Sequence, residues 1–345
     1  VENLSKWKLT LQVAATYIGT VVGAGFATGK EIVQFFTQYG SMGLFGILIS
    51  GLFFIWLGSK MMLIAQSIDA TSYQTLNTHL FGTFMGKLIN GFTIIILFGV
   101  TSVMLASTGA IAAEQFGLWP QVGMLLTIGL AYISVSKGIN GLLFVNSLVV
   151  PMMLTFSILI FIPHAPDFSF LQVSTVHFQG DWNWLISPFL YVALNLALAQ
   201  AVLVPLGSEV KDRKVIKKGA VLGGIGLTFM MVATHLALSN LPYAYHLDIP
   251  MSEVVKHIGL FVNWLFLLVV FGEIFTTLIG NVFGIARQIQ SILPISNQRA
   301  FAFIFALCFL VAQVGYGELL KVLYPIFGYI GLALLVMLCI KKEKS

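Results

Sequence analysis

The sequence predicts an all-α polytopic membrane protein with ten transmembrane helices, and three observations predict it. Hydrophobic residues make up 58% of the 345 and charged residues only 9%, with a mean hydropathy of +0.95. A soluble domain carries about 25% charged residues. The apolar residues gather into ten runs: 10–38, 42–67, 86–114, 117–135, 140–163, 183–208, 216–240, 259–287, 298–315 and 319–340. Each is about as long as, or longer than, the roughly 20 residues that a bilayer-spanning helix requires. The basic residues divide between the loops with one bias. With a cytoplasmic N-terminus and alternating helices, 15 of the 18 Lys and Arg fall on the cytoplasmic side, and only Lys30, Lys256 and Lys321 do not. That is the positive-inside pattern, and adding or losing one helix would scramble it.

These observations exclude an ordinary soluble enzyme, a nucleic-acid binder and a disordered chain. The net charge of +5 is spread over short loops and implies no nucleic-acid partner. Cys308 and Cys339 sit in apolar runs and are expected in the core rather than in a disulfide or metal site. The first run is too long for a signal peptide and lacks a small-residue cleavage site, so it is expected to stay in the mature protein. The longest polar stretches, 68–85, 164–182 and 241–258, are too short for a soluble domain. A single transmembrane domain over 1–345 is therefore expected, in the cell membrane, multi-pass, with both termini cytoplasmic. Runs one to five (10–163) and six to ten (183–340) each carry a long loop between their second and third helices. Because five is odd, the second half enters from the opposite side, and a repeat here would be inverted.

Run one contains Gly19-Thr20-Val21-Val22-Gly23-Ala24-Gly25-Phe26-Ala27-Thr28-Gly29-Lys30-Glu31. Each glycine costs a helix about 1 kcal/mol relative to Ala. The glycines either break the helix or let another helix pack closely against it. The excess length of the run and the adjacent Lys30-Glu31 favour a break near residues 22–25. Irregular backbone at that depth is tolerated only where it lines a polar cavity. The expected binding groups for a small solute are therefore Val22, Gly23, Ala24 and Gly25. Run six holds the corresponding position in the second half. Its amides Asn195 and Gln200 lie at membrane depth and are expected to join the solute site, with partial unwinding around them.

Run eight carries the sharpest charge. Glu273 lies 14 residues after Gly259 and 14 before Arg287, near mid-membrane, with Thr276 and Thr277 one turn on. A carboxylate there is a functional hypothesis by default, and hard cations take oxygen ligands of this kind. Glu273 is a candidate for a cation or for a proton. Lys30 and Glu318, near the outer ends of runs one and ten, are a candidate outer gate. His235 is expected as a core histidine, and the basic cluster at 211–218 as an orientation signal that also meets anionic lipid.

The run from Thr16 to Ile32 resembles the first helix of the YkvI-like bacterial membrane permeases, relatives of the amino acid–polyamine–cation superfamily. The resemblance implies the LeuT fold, a 5+5 inverted repeat with helices one and six broken. Run six also resembles the sixth helix of sodium-coupled neurotransmitter transporters, with Ala where those often have Gly. By resemblance, a sodium site would take the carbonyls of Gly19, Val22 and Glu273 and the hydroxyls of Thr276 and Thr277. Phe26 stands where a second sodium site would need Asn, and Lys137 lies at the helix end rather than at mid-helix. Sodium is thereby favoured over a lysine-borne proton, and a proton on Glu273 stays open.

The expected function is a secondary active transporter for a small solute, an amino acid or amine-bearing metabolite, coupled to sodium or protons. A non-transporting sensor and an ion channel are the alternatives. No enzyme activity, no cofactor beyond candidate Na+, and no obligate protein partner are expected; the partners are the solute and the lipid bilayer.

Overall fold

In a computed structural model of the chain, the described residues are 2–164, 182–239, 241–246, 250–256, 258–290, 293–313 and 331–341. Among them there is no strand. Run one becomes α1 (Glu2–Val21), α2 (Ala24–Ala27) and α3 (Lys30–Phe35). Run two is α4 (Ser41–Phe53) and α5 (Ser59–Ser67), joined without interruption by a π turn, Phe54–Gly58. A loop helix α6 (Tyr73–Phe81) precedes α7 (Thr83–Phe116), α8 (Pro120–Ser136), α9 (Ile139–His164), α10 (Asn183–Glu209) and α11 (Arg213–Ser239). After the short α12 (Pro250–Lys256) come α13 (Leu260–Gln290), α14 (Asn297–Ala312) and α15 (Gly331–Ile340). Each of the ten predicted runs thus carries described helix; 319–330 of the last lie outside the described residues. Six helices are long and apolar enough to cross a membrane by length and composition, and α8, α14 and α15 are shorter apolar helices.

The molecule is arranged for lipid. Large apolar side chains point outward, among them Leu52, Leu126, Phe144, Phe261 and Leu310, each more than half exposed. Patches of that extent are rare on soluble monomers. The interior takes the polar groups: Thr101, Asn146, Asn195, Gln200, Glu273 and Thr276 are all buried.

Close approach of α1 to α11 organises the centre. A Cβ on Gly219 would stand 2.5 Å from Val13 Cγ1, and one on Gly223 2.8 Å from Tyr17 Cδ1. Between lipid-embedded helices there is little hydrophobic driving force, so small residues that let backbones meet do the packing. Tyr17 then crosses to run two. Its hydroxyl donates to the Phe54 carbonyl at 2.7 Å, at the π turn, where the helical ladder is widened. Gly58 makes room, since a Cβ there would lie 2.1 Å from the Tyr17 hydroxyl. Tyr17→Phe strands a buried carbonyl, which costs about 1–3 kcal/mol; a thermal melt should show that loss with the fold retained.

Helix six corrects the sequence expectation. α10 runs unbroken from Asn183 to Glu209, through both amides. Leu and Ala, which dominate 193–199, are among the best helix formers, and the stretch has no glycine to weaken it. Its amides serve the helix itself: Asn195 Nδ2 donates to the Tyr191 carbonyl at 2.9 Å and Gln200 Nε2 to the Ala197 carbonyl at 2.8 Å.

Candidate functional site

The break in run one lies where the glycines put it. Helix α1 stops at Val21, residues Val22 and Gly23 leave helical geometry, and α2 begins at Ala24. The ladder is carried across by Val22 N–H to the Ile18 carbonyl (2.9 Å) and Ala27 N–H to the Gly23 carbonyl (3.0 Å). Gly29, at φ +80°, then turns the chain into α3, a backbone conformation that glycine adopts without a Cβ clash.

Helix α13 meets this break directly. The Thr277 hydroxyl donates to the Val22 carbonyl at 3.1 Å, and a Cβ on Gly23 would lie 3.5 Å from Thr277 Oγ1. Thr276 behaves differently: its hydroxyl donates to the carbonyl of Glu273, on its own helix, at 3.0 Å. Adjacent helical residues do not share a face, so only one of the two threonines reaches helix one. Gly19 faces α9, where a Cβ would fall 1.8 Å from Asn146 Oδ1. Of the oxygens named for a cation, the structure therefore joins Val22 and Thr277. It ties the Glu273 carbonyl and the Thr276 hydroxyl to each other and sets Gly19 against Asn146. All are oxygens of the kind that hold a hard cation.

The Glu273 side chain is fully buried, and its Oε2 has no hydrogen-bond partner among the described residues. Glu273 helps line a small cavity with Phe26, Met153, Ser157, Met230 and Thr234, between α2, α9, α11 and α13. Sequence reasoning missed a second acid beside it. Glu31 is buried, not facing outer water. Its side chain covers Gly25 so closely that a Cβ there would lie 2.2 Å from Glu31 Oε1. Glu31 and Glu273 stand near enough for their charges to interact, and Tyr191 of α10 lies near both. Tyr191, also missed, packs its ring 5.2 Å from Phe35 and 5.0 Å from Phe36, with its hydroxyl buried beside the Asn195 side chain.

The remaining predicted groups separate. Asn195 and Gln200 are buried on α10 with their amide nitrogens spent locally, while Gln200 Oε1 has no partner among the described residues. The Lys30 ammonium donates to the Tyr245 carbonyl at 3.2 Å, in the loop before α12, and Met251 N–H donates to the Thr28 carbonyl at 3.0 Å. The other half of the candidate gate, Glu318, lies outside the described residues. His235 is a core histidine, its Nδ1 3.1 Å from Thr37 Oγ1.

Comparison with known proteins bears on the fold and the family. The chain is 47% identical over 334 residues to the membrane protein YkvI of Bacillus subtilis (strain 168), covering 96% of this chain and 95% of that one. The chain belongs to the YkvI family. A second protein of that organism, YyaD, is 24% identical over 337 residues and 96% of each chain. No family model matches the sequence. Among solved structures, this YkvI-family chain resembles MhsT in complex with L-phenylalanine (TM-score 0.69, 14% identity, 95% of this chain and 87% of that one). It also resembles a Na+-coupled sialic acid symporter in a substrate-bound outward-open state (TM-score 0.72, 11% identity, 95% and 78%). A third likeness is to Mhp1, a nucleobase-cation-symport-1 family transporter, with bromovinylhydantoin bound (TM-score 0.60, 14% identity, 95% and 77%). The YkvI-family chain is thus a multi-pass membrane protein of the LeuT fold.

Proposed function

We propose that the protein is a secondary active transporter that moves a small solute, an amino acid or amine-bearing metabolite, by cation-coupled alternating access. The observation that carries this reading is the bond from Thr277 Oγ1 to the Val22 carbonyl, 3.1 Å across the break in helix one. It ties a hydroxyl of α13 to a carbonyl freed at mid-membrane, where irregular backbone otherwise has no place. A sodium ion would be held by these two oxygens, with the carbonyls of Gly19 and Glu273 and the hydroxyl of Thr276 as further donors. The solute would lie beside the break, against Val22, Gly23, Ala24 and Gly25 and towards Asn195 and Gln200. Gln200 Oε1, which has no hydrogen-bond partner among the described residues, is a group that a polar solute would satisfy.

Coupling follows from shared structure. Ion and solute would both contact the same interrupted helix, so each stabilises the conformation that binds the other, and reciprocally to the same degree. The two five-helix halves, 10–163 and 183–340, would act as inverted repeats that rock about this centre. MhsT, bound to L-phenylalanine, and the Na+-coupled sialic acid symporter support the solute class and the ion. Both termini would be cytoplasmic, from the distribution of Lys and Arg.

The test is the melting temperature of the purified protein against amino acids and amines, in sodium and in choline salts, at two pH values. A ligand that binds only the folded protein raises it by mass action. A shift by one solute class that requires sodium supports the reading; no shift with any solute removes it. Glu273→Gln keeps the shape of the side chain and removes its proton chemistry. It should abolish any pH dependence of the solute shift and leave its sodium dependence in place. Loss of the sodium dependence instead would move the ion from Thr277 to the Glu273 carboxylate.

A further inference from the structure

We propose that a basic cavity at the foot of the α1–α11 seam is a binding site for the phosphate of an anionic phospholipid headgroup. The cavity, of about 440 Å³, is lined by Lys6, Trp7 and Thr10 from α1 and by Asp212, Lys214 and Lys218 at the start of α11. Three ammonium groups and one carboxylate leave it two positive charges. The carboxylate is already engaged. Asp212 Oδ1 accepts the Lys214 N–H at 2.8 Å, and Oδ2 lies 3.6 Å from Lys6 Nζ. The Lys214 N–H, ahead of the Lys6 charge, holds the Asp212 carboxyl below its ordinary range, so Asp212 stays ionised. Its role here is to fix Lys6 and the start of α11, while Lys214 and Lys218 supply the charge that an anion meets.

The level of the cavity selects a lipid over a free anion. It lies where both helices pass from charged to apolar sequence. Trp7 is 53% exposed, whereas Val215, also in the lining, is 3% exposed. Half-exposed Trp marks the headgroup level of a bilayer, and basic pockets between helices at that level bind anionic headgroups. Lys218 Nζ stands 5.7 Å from the centroid of the Trp7 ring, which places the cation on the aromatic wall of the cavity. A headgroup bound here bridges α1 to α11 beyond the glycine contacts at Gly219 and Gly223. Since α1 ends at the break, the lipid would favour conformations that keep its N-terminal turns on α11.

The full chain in phosphatidylcholine nanodiscs, titrated with phosphatidylglycerol, tests the proposal by melting temperature. Phosphatidylglycerol should raise the melting temperature, and Lys214→Ala with Lys218→Ala should remove most of that rise. Lys137→Ala, an exposed lysine far along the chain, should keep it. If the double variant does not fold, Asp212→Asn serves in its place and should lower the phosphatidylglycerol fraction needed for half the rise severalfold. The absence of any rise, an equal loss in Lys137→Ala, or no change in Asp212→Asn overturns the proposal. An equal rise from inorganic phosphate in pure phosphatidylcholine also overturns it, by assigning the cavity to a free anion.

Discussion

Replacing Thr277 with Ala is expected to abolish the sodium dependence of the protein's thermal stability. In the folded chain the Thr277 hydroxyl is the one donor that reaches the Val22 carbonyl from α13 among the described residues. Two losses follow from its removal. The buried carbonyl of Val22 is stranded, which costs about 1–3 kcal/mol whatever ions are present. The proposed sodium site also loses a ligand. At a sodium concentration a hundredfold above its dissociation constant, an intact site adds about 2.7 kcal/mol of stability, and the variant should show almost none of it. Thr277→Ser restores the hydroxyl and should restore both effects. Thr276→Ala should act more weakly, because that hydroxyl is spent on the Glu273 carbonyl of its own helix. Melting curves in matched sodium and choline salts for the three variants separate these outcomes. Equal loss in Thr276→Ala and Thr277→Ala would mean that the two hydroxyls act as a pair, against the bonding seen.

A large structural effect is expected at Gly207. Here α10 passes against α5, and a Cβ would stand 2.4 Å from the Met62 carbonyl oxygen and 2.8 Å from its Cα. Both are backbone atoms, so no side chain can swing aside and the two helices must move apart. Overpacking of this kind typically costs about 1–3 kcal/mol, and the affected helix is among the most deeply buried in the molecule. Gly207→Ala should lower the melting temperature sharply, and Gly207→Leu should leave no monodisperse protein by size-exclusion chromatography. Gly129→Ala is the control. Nothing lies within 4 Å of a Cβ at that helical position, and replacing a helical glycine with Ala gains up to about 1 kcal/mol. A neutral Gly207→Ala would show that α10 and α5 are less tightly joined than their backbones indicate.

Much of this architecture is legible in the sequence because bilayer chemistry is coarse. Apolar runs and loop charges locate the helices without any knowledge of packing. The break in helix one is legible for a similar reason: Gly19, Gly23, Gly25 and Gly29 weaken one stretch so much that its failure as a helix is local. Helix six was not legible in this way. Asn195 and Gln200 looked like groups released by unwinding, yet each amide bonds to a carbonyl within its own helix. Polarity alone does not distinguish those two outcomes.

The side-chain directions at the site were the hardest to read. Thr276 and Thr277 are equivalent in composition, and only the rotation of α13 decides which meets Val22. Glu31 seemed to belong to the outer end of its run. The turn at Gly29 swings α3 so that its acid returns onto Gly25. Lys30, its neighbour, points instead to the Tyr245 carbonyl. No spacing rule within run one carries that information, because it depends on a positive φ and on a loop more than 200 residues away in sequence.

The central claim is that ion and solute move together through this site, and flux tests it most directly. The protein would be reconstituted into liposomes and given the solute that shifts its melting temperature, with an inward sodium gradient imposed. The account predicts accumulation of the solute above its external concentration, collapse of that accumulation when sodium is equal on both sides, and its loss in Thr277→Ala. Binding without any flux, or flux that never exceeds equilibration whatever the sodium or proton gradient, would contradict it.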